Sequence, residues 1–316
     1  MRPNSTSETL ASSWQRLSDH FEVLLDQPET VPHLRQSILQ LAVQGKLVPQ
    51  DPSEGDGQTL AKRMANDTKQ LIESGDLKKP KDAMSPPLDP PEIPPSWACL
   101  QLADILRYGP RNGYSPKPVD HETGVKSLTL SATTSGRFDD RHTKNIDEEI
   151  ESDSHLWLKN GDFLIQRSNS LEYVGMTAIF DGKDDAFIYP DLMMKFRVAE
   201  QLIPEFMQLV FLSEQSRHFF QGNATGTSGS MRKINQTIVV SLPIPIVPEA
   251  EQKRIVSKVS VLLSQCDELS ARLRSRQSTT DALLTALIHQ ILNPDDSREA
   301  AKTAKKNKRP SPPSRA

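Results

Sequence analysis

The sequence predicts an α+β fold in which one mixed domain of helices and strands is flanked by long helices. Three features lead to this prediction. Short β-rich runs separated by Gly, Asp and Asn occur within residues 97–247, a heptad pattern of apolar residues follows them, and a proline-rich segment precedes them. The 316 residues suffice for about two domains, and a hydrophobic content of 36% favours modest cores and long exposed helices over one large globule.

The N-terminal region, residues 1–77, is predicted to be helical. A first helix is indicated by apolar residues that recur at spacings of four and three, namely Leu10, Trp14, Leu17, Phe21 and Leu24. A second helix is predicted over residues 32–44, with Gly45 as its C-terminal stop. A third, more polar helix is predicted over residues 59–74 and ends at Gly75.

A linker is predicted at residues 78–96, where seven of nineteen residues are proline. The mixed domain then covers residues 97–247. Its β-rich runs are residues 161–167, 173–180, 186–190 and 192–198. One helix is predicted at about 204–220, with Pro204 in its first turn.

The longest regular pattern predicts a heptad helix over residues 248–293, and a helix of about 40 residues would be about 60 Å long. Its apolar seam consists of Ile255, Val259, Leu262, Cys266, Leu269 and Leu273. The N-terminal helices of the same chain could cover this seam, and so could a second copy of the helix. Residues 294–316 form a basic tail that is predicted to be disordered.

Composition and charge exclude several classes of protein. No run approaches the ~18 consecutive apolar residues of a membrane helix. The N-terminus also lacks the basic segment followed by an apolar segment that is typical of a signal peptide, so a cytoplasmic protein is expected. The two cysteines, Cys99 and Cys266, lie far apart in sequence and form neither a disulfide framework nor a cysteine cluster that could bind a metal ion. The formal net charge is −3, and residues 97–247 carry fifteen basic against nineteen acidic residues.

The sequence contains no recognisable catalytic, cofactor or metal motif. It lacks a phosphate-binding loop, an H-E-x-x-H helix and a G-x-S-x-G elbow. The glycines of residues 222–230 have no lysine at the spacing that a nucleotide loop needs. We therefore expect a binding protein with no catalytic residue, no metal and no cofactor.

Three stretches together resemble the specificity subunit of type I restriction-modification systems. They are HFEVLLDQPETVPHLRQSILQLAVQGKLVPQDP (20–52), IPPSWACLQLADI (93–105) and INQTIVVSLPIPIVPEAEQKRIVSKV (234–259). Within the mixed domain, residues 107–117, 127–136 and 164–175 are also similar to one class of these proteins. The resemblance covers roughly residues 21–293, but this chain has one target-recognition domain where a typical member has two.

The resemblance implies a non-catalytic role in selecting DNA sequence. Its expected partners are double-stranded DNA with a bipartite site, an adenine methyltransferase subunit and a restriction and translocation subunit. The target-recognition domain would read one half-site, and the conserved long helices would form a coiled-coil spacer that docks the methyltransferase. Two such chains paired antiparallel would predict a palindromic bipartite target. Since the recognition domain has a net charge of −4, we expect weak, salt-sensitive binding by this chain alone.

Four loops contain the donors and acceptors that read base edges or contact phosphates. The candidate residues are Arg111, Asn112, Tyr114, Ser115 and Lys117 in the first loop, Thr133, Thr134 and Arg137 in the second, Arg167, Ser168, Asn169 and Ser170 in the third, and Thr227, Ser228, Ser230, Arg232 and Lys233 in the fourth. The same residue types are also common in any solvated turn.

Two other functions compete with this interpretation. The chain could be a coiled-coil assembly or adaptor protein with no preference among DNA sequences. It could also be a methyltransferase, but the nearest match to an Asn-Pro-Pro-aromatic motif is Asn293-Pro294-Asp295, which lacks the second proline and the aromatic residue.

Overall fold

A computed structural model describes residues 28–85, 92–226 and 231–292, and its fold is α+β as the sequence predicts. The helices are α1 (Val31–Val43), α2 (Gly57–Ser74), α3 (Pro204–Leu212), α4 (Glu214–Asn223), α5 (Gln236–Val240) and α6 (Glu249–Leu292). The strands are β1 (Ala98–Gln101), β2 (Leu106–Asn112), β3 (Pro118–Val119), β4 (Val125–Leu128), β5 (Thr143–Ile146), β6 (Phe163–Gln166), β7 (Ser168–Asn169), β8 (Thr177–Ile179), β9 (Phe187–Ile188), β10 (Met193–Val198), β11 (Arg232–Lys233) and β12 (Pro243–Ile246). The helix predicted around residues 10–24 and the tail at 294–316 lie outside the described residues.

The two predicted helices that precede the linker are confirmed, with ends set by local chemistry. Asp56 caps α2, because its carboxylate accepts hydrogen bonds from the backbone N–H groups of Gln58 and Thr59 at 3.1 Å each. Gly75 follows the helix with φ +85°, a left-handed conformation that favours glycine. Gly45 has φ +66° just beyond the end of α1.

The single helix predicted at about 204–220 is wrong, because the segment forms α3 and α4 with a break at Ser213. The backbone of Ser213 is extended, with φ −62° and ψ 150°. Its hydroxyl accepts from the N–H of Ser216 at 3.3 Å and so caps α4. The predicted long helix is confirmed as the 44 residues of α6.

Two four-stranded sheets form the mixed domain. One has the order β2-β10-β6-β8 and is antiparallel throughout. The other has the order β3-β5-β4-β9, in which β4 and β9 are parallel. Strand β2 therefore lies at an edge, and its pairing with β10 is irregular between Lys195 and Val198, where a bulge changes the direction of the side chains.

The entry and exit of the mixed domain are paired to each other. Strand β1 runs antiparallel to β12, with Cys99 opposite Pro245 and Gln101 opposite Pro243. Prolines fit this two-stranded sheet because an edge strand does not need every N–H for the ladder. Trp97, just before β1, is 1% exposed and donates its indole N–H to Glu251 of α6 at 3.0 Å. The two ends of the domain are thereby held close to the start of the long helix.

One hydrophobic cluster extends from α1 through the β2-β10-β6-β8 sheet to α6. At its centre Phe163 and Phe196 stack at 5.3 Å between ring centroids, and Phe211 packs against both. The heptad seam belongs to this cluster, because all six residues from Ile255 to Leu273 are buried. Helix α1 packs along α6, and Arg35 forms an ion pair with Asp267. The seam is thus covered within the chain.

The C-terminal part of α6 has the opposite character. Its large apolar residues are between 52% and 72% exposed, and they are Leu283, Leu284, Leu287, Ile288, Ile291 and Leu292. We call these six residues the distal apolar face. The 4-3 spacing that ends at Leu273 continues through the polar residues Arg276 and Thr280 before it reaches Leu283, so a polar gap separates the two apolar parts of the helix.

Candidate nucleic-acid interface

The loop 111–117 leaves the edge strand β2 and is fixed against the segment 189–193. Gly113 and Tyr114 donate their backbone N–H groups to the carbonyls of Met193 and Tyr189, at 3.2 and 3.0 Å. A Cβ on residue 113 would collide with the Tyr189 carbonyl oxygen, so only glycine permits this approach. Arg111, Asn112, Tyr114, Ser115 and Lys117 are exposed around this fixed backbone.

Asp191 joins the first loop to the third. Its carboxylate accepts from the Ser115 hydroxyl at 2.6 Å, and its carbonyl accepts from the Arg167 guanidinium at 3.3 Å. The backbone N–H of Arg167 donates to the Leu192 carbonyl at 2.8 Å. The structure therefore brings together two loops that are more than fifty residues apart in sequence.

The third and fourth loops are joined by a short ladder. Strand β7 pairs antiparallel with β11, with Asn169 opposite Arg232 and Ser168 opposite Lys233. Thr225 and Lys233 form a further bridge, and the Arg232 guanidinium donates to the Gly226 carbonyl at 2.7 Å. The predicted residues Thr227, Ser228 and Ser230 lie outside the described residues.

The second loop is held by Gln166, a fully buried residue at the end of β6. Its amide N–H group donates to the Leu130 carbonyl at 2.8 Å and to the hydroxyls of Thr133 and Thr134 at 2.9 and 3.2 Å. Its amide oxygen accepts from the Asn169 side chain at 2.6 Å. Gln166 thus connects the second loop to the third. Together with Asp191 and the β7–β11 ladder, it links the four loops into one assembly.

Two predicted contact residues are not on the surface. Thr133 is 0% exposed and Ser168 is 3% exposed, so neither side chain can meet DNA in this conformation. The expectation of a DNA contact is corrected for both residues, because their short side chains point into the domain. Three other candidates, Arg137, Tyr114 and Lys233, are exposed, and Thr134, Arg167, Asn169, Ser170 and Arg232 are half-buried.

Neighbouring carboxylates adjust the charge of this surface. The Tyr114 hydroxyl lies 3.0 Å from Glu148, and this hydrogen bond raises the pKa of Tyr114, which keeps the phenol a neutral donor. Asp139 lies two residues after Arg137, but its carboxylate forms an ion pair with the Arg141 guanidinium at 2.6 Å. That guanidinium holds the pKa of Asp139 well below its usual range. Arg137 itself forms no salt bridge within the described part of the chain.

Gln166 and Asp191 were missed as site residues in the sequence. Both lie at positions whose role depends on partners far away in sequence. The one available signal was an amide at the end of the otherwise apolar run Phe163–Ile165, since buried polar groups are normally hydrogen-bonded.

Over residues 28–85, 92–226 and 231–292, no group of His, Cys, Asp and Glu side chains is suited to hold a metal ion. None of the helices in those ranges is both long and apolar enough to cross a membrane.

Residues 94–276 match the family model described as the type I restriction modification DNA specificity domain. The chain belongs to this family. It is 27% identical over 298 residues to the type I restriction enzyme EcoEI specificity subunit of Escherichia coli, a match that covers 92% of this chain and 50% of the relative. It is 30% identical over 293 residues to the EcoAI specificity subunit of the same species, with 90% and 49% covered.

The specificity-domain chain spans about half the length of these two curated relatives. Among solved structures, it is similar to the HsdS subunit from Thermoanaerobacter tengcongensis, with a TM-score of 0.40, 18% identity, and 75% of this chain and 52% of that chain covered. A structure described as showing complex assembly and conformational transition of the type I R-M system aligns with a TM-score of 0.47 at 16% identity, over 74% and 53% of the two chains.

Proposed function

We propose that this specificity-domain chain selects the DNA sequence for a type I restriction-modification complex by reading one half of a bipartite site, and that it does so without catalysing a reaction itself. The observation that carries the proposal is the family match over residues 94–276, which lie across the whole mixed domain. The four candidate loops support it, because Gln166, Asp191 and the β7–β11 ladder link them into one surface.

The exposed side chains of this surface suit major-groove readout. Arginine pairs with guanine and asparagine with adenine through two hydrogen bonds each, and each good pair contributes about 1–3 kcal/mol of discrimination. Arg111 and Asn112 stand at the end of β2 beside the rigid turn at Gly113. A rigid backbone favours specificity, because a base edge is recognised only when the donors are fixed in position.

The proposed partners are an adenine methyltransferase subunit and a restriction and translocation subunit. The curated relatives are named as specificity subunits of type I restriction enzymes, and that naming supports a place for this chain in such a complex. The 44 residues of α6 would extend about 66 Å and set the distance between half-sites. The same helix offers a surface on which the methyltransferase can dock.

A second copy of the chain is proposed to supply the other half-site. The seam from Ile255 to Leu273 was one candidate for pairing with that copy, but it is covered within the chain, which was the other alternative. The distal apolar face is the better candidate, since six large apolar residues stand in solvent on one helix. Antiparallel pairing of two such helices would give a two-fold axis and a palindromic bipartite target.

The test is to express the chain together with its adenine methyltransferase in a host that lacks other adenine methylation, and to map methylated adenines across the genome. A palindromic bipartite motif that needs both proteins is expected. An asymmetric motif would reject the symmetric pair, and the absence of any motif would favour an assembly protein without DNA sequence preference.

A matched pair of variants sharpens the test. Asn112→Ala removes an exposed amide from the first loop, and Asn66→Ala removes an exposed amide from α2. The first is expected to alter or weaken the methylated motif, and the second to leave it unchanged. Equal effects of the two substitutions would exclude Asn112 from readout.

A further inference from the structure

Two clefts meet at the edge strand β2. The first, of about 890 Å³, lies between β2, β10 and the segment 153–163. The second lies between β2 and residues 76–82 of the proline-containing segment that leads into the mixed domain. Arg107, Tyr108 and Arg111 line both clefts, because the irregular pairing of β2 with β10 re-aims the side chains of this strand.

Both clefts carry an excess of positive charge. The first is lined by five cations, Arg107, Arg111, Lys159, Lys195 and Arg197, and by three carboxylates. The second adds Lys78, Lys79 and Lys81 and two carboxylates. The mixed domain as a whole, residues 97–247, has fifteen basic and nineteen acidic residues. Positive charge is therefore concentrated along this edge of the domain.

Part of the excess is built into the interior of the first cleft. Lys195 is 4% exposed, and its ammonium lies 3.4 Å from Asp162. Arg197 contacts the other oxygen of the same carboxylate at 2.5 Å. One carboxylate thus faces two cations. The ammonium of Lys195 also lies 5.4 Å from the centre of the Tyr108 ring, and the guanidinium of Arg111 lies 5.3 Å from it.

Several cations of the clefts have no anionic partner. Lys78, Lys81 and Arg111 are exposed and form no salt bridge within the described residues, whereas Lys79 is paired with Asp82 at 3.2 Å. Exposed cations that are held along one edge and left unpaired are suited to phosphate oxygens. Arg111 also belongs to the first candidate loop, so the clefts continue directly into the proposed base-reading surface.

We infer that Lys78, Lys81 and the two clefts along β2 form a track for the sugar-phosphate backbone of the DNA duplex, which positions the half-site against the candidate loops. This inference rests on the proposed function and identifies residues outside those loops as its phosphate contacts. Charge complementarity and continuity through Arg111 favour duplex DNA over a small anion. The segment 78–81 is then a part of the DNA-binding surface as well as a connection between regions.

The test uses Lys78→Gln/Lys81→Gln in the complex with the adenine methyltransferase. DNA binding is measured over a salt series on target and non-target duplexes. If both lysines contact phosphates, the slope of log K against log salt should decrease by about 1.8, which is about a 30-fold loss of affinity at 0.15 M salt. The loss should be equal on the two duplexes, because phosphate contacts carry no sequence information.

The matched control is Lys62→Gln/Lys258→Gln, which removes two exposed lysines from α2 and α6 that line neither cleft. It is expected to keep the wild-type slope, and thermal unfolding should be the same for both double variants. If the wild-type complex methylates a defined motif and Lys78→Gln/Lys81→Gln leaves the salt slope unchanged, the phosphate track is overturned and the proposed function stands. A wild-type complex that methylates no motif overturns the proposed function itself.

Discussion

The two parts of the long helix α6 show how one apolar spacing leads to two different environments. From Ile255 to Leu273 every seam residue is buried in the core that α6 shares with α1 and the mixed domain. From Leu283 to Leu292 the large apolar residues are all more than half exposed. A heptad pattern therefore predicts that a helix has a partner, but it does not specify whether that partner belongs to the same chain.

The N-terminal part of α6 is also fixed by polar contacts to other segments of the chain. Gln252 is fully buried and donates to the Val247 carbonyl at 2.8 Å, while its oxygen accepts from the N–H of Ile203 at 2.8 Å. Arg254 binds Glu54 through two nitrogens, at 2.7 and 2.6 Å. These contacts connect the start of the helix to the N-terminal region and to the mixed domain.

The largest expected effect is on the free energy of unfolding, and it is seen by comparing one leucine from each part of α6. Leu262→Ala removes a side chain that is 2% exposed, and Leu287→Ala removes one that is 53% exposed. The first should lower the free energy of unfolding by about 2–5 kcal/mol, because it leaves a cavity in a packed core. The second should change it by about 0.5 kcal/mol or less. Urea unfolding at a protein concentration that favours monomers provides the measurement, and similar values for the two variants would contradict the contrast.

The next effect concerns self-association and affects only the distal apolar face. Leu287→Gln/Ile291→Gln should raise the dissociation constant of the proposed dimer by at least about 100-fold, since burying each of these side chains contributes about 1.5–3 kcal/mol. Sedimentation velocity over a concentration series measures this constant. The control is Val261→Gln, which replaces a 53% exposed apolar residue outside the distal face. A dimer that tolerates the double substitution would have to use another surface.

A smaller effect is expected at the ion pair between Arg254 and Glu54. Arg254→Lys keeps the charge but loses the two parallel hydrogen bonds to the carboxylate and the bond to the Pro49 carbonyl. We expect a loss of about 1 kcal/mol in unfolding free energy, since the Arg254 side chain is 35% exposed and is partly screened by solvent. Lys253→Gln, next to it on an exposed i,i+4 pair, should cost only a few tenths of a kcal/mol. Chemical denaturation of the two variants in parallel would distinguish these values.

The sequence predicted elements whose signals are local and missed those that depend on distant partners. Gly75 ends α2 as expected, and the heptad spacing predicted α6 nearly to the residue. The break at Ser213 was missed because neither Gly nor Pro marks it in the sequence. In the structure, the extended backbone of Ser213 and the hydrogen bond that its hydroxyl accepts from Ser216 show the new helix start. The loops carry recognisable turn residues. Their assembly through Gln166 and Asp191 was not predictable, because each of these residues contacts segments more than thirty positions away.

The smallest effect is a pH dependence at the start of α6. Glu251 is 2% exposed, and burial raises the pKa of its carboxyl, although hydrogen bonds from Trp97 and Gln50 oppose that shift. A folded-state pKa above the unfolded value means that folding takes up a proton between the two values. The contribution of Glu251 to stability is thus fully present below the unfolded pKa, and it is lost as the pH rises through the folded one.

Glu251→Gln removes this titration and keeps an amide oxygen that can accept from Trp97. As the pH rises above the unfolded pKa of about 4.5, the unfolding free energy of the wild type should therefore fall relative to that of the variant. Urea denaturation at several pH values measures the difference, and Glu249→Gln on the exposed first turn provides the control. The hydrogen bond from Lys253 lowers the pKa of Glu249, so its substitution should give a difference of the opposite sign. A constant difference between wild type and Glu251→Gln would mean that the hydrogen bonds from Trp97 and Gln50 offset the burial of this carboxylate at the anchored end of the helix.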